Sequence, residues 1–201
     1  KFTDFSPRFA ANYDLTDDTT LYGTISKGFK SGGVQQSPIR DLQSYDPEEL
    51  WNYEVGIKAD LLDRRLRVSA AAFYMDWTDL QSSFQQSGLD DDGNLVLFGG
   101  VDNAEQAYSQ GLEFSFTALP TEGLTLNGSI GYLEAEFEEF TAFITGENRN
   151  LDNETIPNSP EWTASFDADY RFPLSAALEG FVRVEWAYRD EIIADTEQFI
   201  Q

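Results

Sequence analysis

The side chains of this chain that could do chemistry are carboxylates. Asp and Glu number 36 against 13 Lys and Arg in 201 residues, a formal charge of −23, and neither Cys nor His occurs. Without thiols or imidazoles, zinc fingers, disulfide frameworks, Cys/His pairs and Ser-His-Asp triads are excluded. So negative a chain repels a phosphate backbone, which argues against nucleic-acid binding. Asp90-Asp91-Asp92-Gly93-Asn94 invites comparison with a calcium loop, but Gly88 stands at the first ligand position and the closing Glu is absent. A solvated hairpin tip fits that stretch better. The Glu134-to-Glu139 cluster, with Glu147, Asp152 and Glu154, could attract cations, although like charges so close usually mark a solvated loop. Nothing fixes two carboxylates about 5–10 Å apart across a cleft, as a glycosidase needs. Gly28, Gly32 and Gly33 are not a phosphate cradle, because no helical pattern follows them. No catalytic residue, cofactor or resident metal is assigned, and an enzyme is not expected.

The elements that must position these residues have a period of two. Trp162, Ala164, Phe166, Ala168, Tyr170 and Phe172 alternate with Thr163, Ser165, Asp167, Asp169 and Arg171. Such alternation marks a strand with different surroundings on its two sides. It recurs at Phe9–Leu15, Leu21–Ile25, Trp51–Leu61, Tyr108–Ala118, Leu124–Tyr132 and Leu178–Tyr188, and Ala70-Ala71-Ala72-Phe73-Tyr74 alone blurs the facing, as a bulge or a packed inner patch would. Short turns are expected near Asp17, Arg64, Glu122 and Ser175. Long connections fall between them: one through Pro38 and Pro47, an extended hairpin from Leu80 to Val101, and one from about Phe140 to Pro160.

About eight strands in four up–down hairpins, with turns at one end and loops at the other, predict an all-β, antiparallel, up-and-down transmembrane β-barrel. No apolar run is long enough for a membrane helix, which barrels do not need. Aromatics make up 14% of the residues, too many for a disordered acidic chain. Trp51, Trp77, Trp162 and Trp186, with Tyr13, Tyr53, Tyr132 and Tyr188, are expected to form interfacial girdles. Glu54, Lys58, Asp60, Glu113, Asp167, Asp169, Arg171, Arg183 and Glu185 fall on the polar face. There they could line a ligand path, hold something inside, or serve as a hydrated wall. Tyr45, Phe84, Phe98, Phe140 and Phe143 on the long connections are candidates for touching a bulky ligand, the alternative being loop-on-loop packing.

Several stretches also resemble a known family in order along the chain. Ser26-Lys27-Gly28-Phe29-Lys30-Ser31-Gly32-Gly33 and Tyr45-Asp46-Pro47-Glu48 come first, followed by Trp51-Asn52-Tyr53-Glu54-Val55-Gly56. Then come Phe73-Tyr74-Met75-Asp76-Trp77, Ser109-Gln110-Gly111-Leu112-Glu113 and Pro157-Asn158-Ser159-Pro160. Together they resemble TonB-dependent outer-membrane receptors over essentially all of residues 1–201. The resemblance implies part of a 22-strand barrel around a globular plug, with the plug, the TonB box and the carboxy-terminal strand outside this stretch. It implies binding and import of a scarce nutrient, most often a ferric siderophore, across the outer membrane of a Gram-negative bacterium. The partners would be membrane lipid, TonB, the plug and a small-molecule chelate, with Glu54 and Glu113 as plug-facing residues. Two other architectures are compatible with the alternation: a complete small eight-strand outer-membrane barrel and a soluble carbohydrate-binding β-sandwich.

Overall fold

The computed structural model describes residues 3–37, 43–89, 95–144 and 147–194. Twelve strands lie in chain order: β1 (Arg8–Thr16), β2 (Thr19–Lys30), β3 (Gly33–Val34), β4 (Ser44–Tyr45), β5 (Glu48–Leu61), β6 (Leu66–Leu89), β7 (Leu95–Thr121), β8 (Leu124–Glu139), β9 (Thr141–Ile144), β10 (Glu147–Asn150), β11 (Trp162–Ser175) and β12 (Leu178–Arg189). Eight make one antiparallel sheet in the order β1-β2-β5-β6-β7-β8-β11-β12. The other four form two small ribbons, β3 with β4 and β9 with β10, inside connections that the sequence pattern marks only as loops.

Register separates the two faces. Tyr13, Leu21, Ile57, Ala70, Phe114, Ile130, Ala164 and Tyr188 are successive cross-strand partners through all eight strands. The adjoining row, on the opposite face, is Asn12, Tyr22, Gly56, Ala71, Glu113, Gly131, Thr163 and Arg189. Because successive residues of a strand point to opposite faces, one side of the sheet is apolar along this row and the other polar or small. Among the described residues no layer covers the apolar side: Phe166 is 38% and Val55 62% exposed. A sandwich would bury that face against a second sheet, and no second sheet lies on it among the described residues. The strands β1 and β12 are the sheet's two edges and do not pair with each other, so a closed eight-strand barrel is not formed.

At the turn end, residues 62–64 reverse the chain in the left-handed region (φ 55°, 55° and 64°), and Gly123, at φ 78°, turns β7 into β8. Arg65 stitches neighbouring hairpins by donating to the carbonyls of Leu119 and Pro120. At the other end β6 and β7 run for 24 and 27 residues, more than twice the ~9–11 that cross a membrane. They therefore project well beyond the apolar band.

Pairing through Ala70–Tyr74 is continuous on both sides of β6, so no bulge lies there. The blurred pattern arises because Ala71 and Phe73 sit on the polar face, where the Phe73 ring covers Gly111, its direct partner. Irregularity falls instead at Asp79, a non-glycine residue at φ 55°. A row crossing the sheet also shifts in polarity: Ile25, Tyr53 and Tyr74 continue into Gln110 and Glu134. That drift is what strands tilted by about 35–45° to the membrane normal produce.

Candidate functional site

On the polar face, three residues singled out from sequence converge on one that was not. Tyr22 and Gly56 are direct partners, and a Cβ on Gly56 would stand 2.5 Å from the Tyr22 ring, so the ring lies flat across the glycine. The Lys58 ammonium sits 5.1 Å from the ring centroid, within cation–π range. Glu54 and Glu113 stand near enough to the Tyr22 hydroxyl for their charges to act on it. Tyr22 was detectable only as a large aromatic of polar-face parity standing opposite a glycine.

Farther along the same face, Asn127 donates to Asp167 at 2.9 Å. Arg171 and Arg183 share Asp169 at 3.2 and 3.0 Å. Asp60 and Arg67 form a two-point pair at 2.7 and 3.0 Å. Arg171 and Asp167 thus belong to a paired wall, while Glu54, Lys58 and Glu113 gather around Tyr22. Asn52 Oδ1, also on this face, is buried without a partner among the described residues.

The girdle is an outward diagonal. Trp51–Tyr53, Tyr53–Tyr74 and Tyr74–Tyr108 have ring centroids 6.4, 6.4 and 6.2 Å apart, and Tyr132 and Trp162 lie at 4.9 Å. Tyr108 donates toward Glu134 (2.8 Å) and Glu136 (3.0 Å) at its upper edge. Trp77 is a correction. Its partners are Leu50 and Ala107, which place it on the polar-face side, and it packs against the buried cluster of the loop end.

That cluster is Ala104, Ala107, Phe137, Phe140, Ala142 and Leu151, flanked by Trp77, Leu80 and Ile156. Phe140 is 2% exposed, its ring 4.8 Å from that of Phe137, so the structure gives it the loop-packing role. The connection is stitched back by Leu151 N–H to Phe140 O, Phe137 N–H to Glu154 O and Ile156 N–H to Ala135 O. Asp152 accepts from the Phe140 N–H at 3.0 Å and from the Asn150 amide at 2.8 Å, and both bonds hold its carboxyl below the usual range.

Tyr45 is half-buried, its hydroxyl 2.6 Å from where a Cβ of Gly33 would be. Beside it, burial pushes the Asp79 carboxyl up, and the Asp46 and Glu49 carboxylates add to the shift. Burial likewise raises Asp102. The side chains of Phe84, Phe98 and Phe143, and all of Asp90–Asn94, lie outside the described residues. Among the described residues no three carboxylates are grouped so as to hold a metal ion.

The geometry is that of a membrane wall with a structured loop end, and comparison with known proteins agrees. The family model described as "TonB dependent receptor-like, beta-barrel" matches residues 1–198, and the chain belongs to that family. The metal-pseudopaline receptor CntO of Pseudomonas aeruginosa is 30% identical over 168 residues, which are 83% of this chain and 21% of that receptor. The ferripyoverdine receptor of the same species is 39% identical over 71 residues, 34% of this chain and 8% of the receptor. The crystal structure of the ferric yersiniabactin uptake receptor FyuA from Yersinia pestis superposes with a TM-score of 0.66 at 20% identity, covering 89% of this chain and 24% of that one. At that identity the likeness concerns the fold. The chain spans about a fifth of the CntO receptor's length.

Proposed function

We propose that this chain is part of the barrel of an outer-membrane receptor in a Gram-negative bacterium, one that binds and imports a scarce nutrient as a metal–siderophore chelate. The carrying observation is the two-faced sheet, apolar outside and charged inside, matched to the family over residues 1–198. Its relatives and structural neighbours are named as receptors for metal–pseudopaline, ferripyoverdine and ferric yersiniabactin. In this role the protein performs no covalent chemistry. The apolar face contacts lipid, the long connections meet ligand, and the charged face surrounds a plug domain contributed by the full-length protein.

Glu54, Lys58 and Glu113 around Tyr22 are then plug-facing residues, as are Asp167, hydrogen-bonded to Asn127, and Arg171, paired with Asp169. Tyr45, at the loop end, is the ligand-contact residue best supported, with Phe84, Phe98 and Phe143 also on that end. Energy for import comes through TonB acting on the full-length receptor.

The test is uptake by the full-length receptor in a strain lacking its own siderophore receptors. Radiolabelled metal–pseudopaline and ferripyoverdine are the probes, with and without TonB. TonB-dependent accumulation of either supports the proposal. Saturable import that persists without TonB, or wild-type growth on both chelates after deletion of the gene from its native host, would count against it.

A further inference from the structure

Two side-chain amides dock one loop onto the base of the β6–β7 hairpin in the manner of strand pairing. Gln35 donates from Nε2 to the Val101 carbonyl at 2.7 Å, and its Oε1 accepts from the Val101 N–H at 2.7 Å. Asn103 does the same with Asp46: its Oδ1 accepts from the Asp46 N–H at 2.8 Å, and Nδ2 donates to the Asp46 carbonyl at 3.1 Å. The same Nδ2 reaches the carbonyl of the strained Asp79 at 2.7 Å. Gln81 adds Nε2 bonds to the carbonyls of Ser31 (3.2 Å) and Asp46 (3.1 Å), and its N–H donates to Glu48 at 2.9 Å.

Each of the first two amides satisfies both the backbone donor and the backbone acceptor of one residue, which is what a neighbouring antiparallel strand would do. The loop's short ribbon, Gly33–Val34 with Ser44–Tyr45, is two residues a side, too little to be stable alone. The backbones also approach closely. A Cβ on Gly32 would stand 2.4 Å from the Tyr45 carbonyl oxygen, and one on Gly100 would stand 2.7 Å from Gln35 Oε1. Asn103 and Ala104 are consecutive in a strand, so they point to opposite faces. The hairpin base is therefore held on one side by amides and on the other by the apolar cluster that contains Ala104.

We propose that Gln35 and Asn103 are positioning residues that lock the segments 31–37 and 43–47 onto the hairpin base. In doing so they fix Tyr45, adjacent to the clamped Asp46, in one orientation before ligand arrives. This rests on the receptor function above for its consequence but not for the clamp itself. Preordering of this kind removes an ordering cost from binding, so loosening the clamp weakens capture and leaves the later transport step alone.

Hydrogen exchange on the ligand-free full-length receptor in detergent tests the clamp directly. Asp46 and Val101 N–H have side-chain acceptors, so Asn103→Leu should speed exchange in peptides covering Asp46, and Gln35→Met in those covering Val101, by about tenfold each. Both variants keep side-chain bulk and remove the amide. Gly100→Ala, which displaces Gln35 without altering either amide, should reproduce the Val101 effect. In uptake of metal–pseudopaline or ferripyoverdine, the half-saturating concentration should rise several-fold at unchanged maximal rate. Unchanged exchange in folded variants overturns the clamp. Faster exchange with unchanged half-saturation overturns its positioning role. If the wild type takes up neither chelate, the receptor proposal fails for those ligands and the exchange result still decides the clamp.

Discussion

The apolar side chains of the membrane band and those of the loop end are used in opposite ways. In the band, large residues such as Val55, Leu112, Val184 and Trp186 are more than half exposed, and no layer of the described residues covers that face. At the loop end Phe137 is fully buried, with Phe140 and Leu151 almost so, among small alanines. A protein in water could not present the first surface at such size, since exposed apolar patches of that extent mark contact with something else. The second is an ordinary aqueous core in miniature. The boundary between these solvents is the aromatic diagonal from Trp51 to Tyr108, where amphipathic rings suit both.

The comparison breaks first where its expected costs are largest. Phe137→Ala should destabilise the loop end by about 3–5 kcal/mol, the usual cost of emptying a fully buried aromatic site. Exchange should rise across residues 135–156 while the membrane strands stay protected. If the whole barrel loosens together, the two regions are not separate cores. Next comes Phe166→Arg, which should cost about 2–4 kcal/mol if it sits at mid-membrane, whereas Thr163→Arg on the water side should be mild. Equal costs in a refolding titration would undo the assignment of faces.

Smaller effects sharpen the contrast. Asp152 has a folded-state pKa below its unfolded value, so its contribution is present above the ordinary carboxylate pKa, about 3.9, and is lost as pH falls through the lower folded value. Exchange at Phe140 should accelerate below about pH 4. In Asp152→Asn that acid-linked step should be absent, whereas its persistence would assign the step to another group. Smallest is Arg67→Ala. The pair with Asp60 has the arginine side chain 72% exposed, so its loss should barely move the unfolding midpoint. A large shift would show that the inner wall at that height is drier than a hydrated lumen.

The membrane band was legible in sequence because a period of two has one structural meaning once both faces are followed along a strand. Phe166 and Asp167 announce their sides by type. Trp77 did not: an aromatic at a strand end suits a girdle or a core equally, and only its partners Leu50 and Ala107 decide. Phe140 is buried in the loop-end cluster for a related reason, since loop aromatics pack on whatever the loop folds against. The Gln35 and Asn103 clamps depend on contacts between distant segments, 66 and 57 residues apart, and the β9–β10 ribbon is a hairpin of only four residues a side, too short to show a periodicity. Tyr22 was hidden because its importance lies in the absence of a side chain opposite, at Gly56.

The most direct test is site-directed spin labelling along residues 163–170 of β11 in the full-length receptor in lipid bilayers. Relaxation by oxygen, which concentrates in hydrocarbon, would be compared with relaxation by a water-soluble nickel chelate. The structure predicts oxygen maxima at 164, 166, 168 and 170 and nickel maxima at 163, 165, 167 and 169. Flat profiles, or low access to both reagents at every position, would contradict a wall between lipid and water.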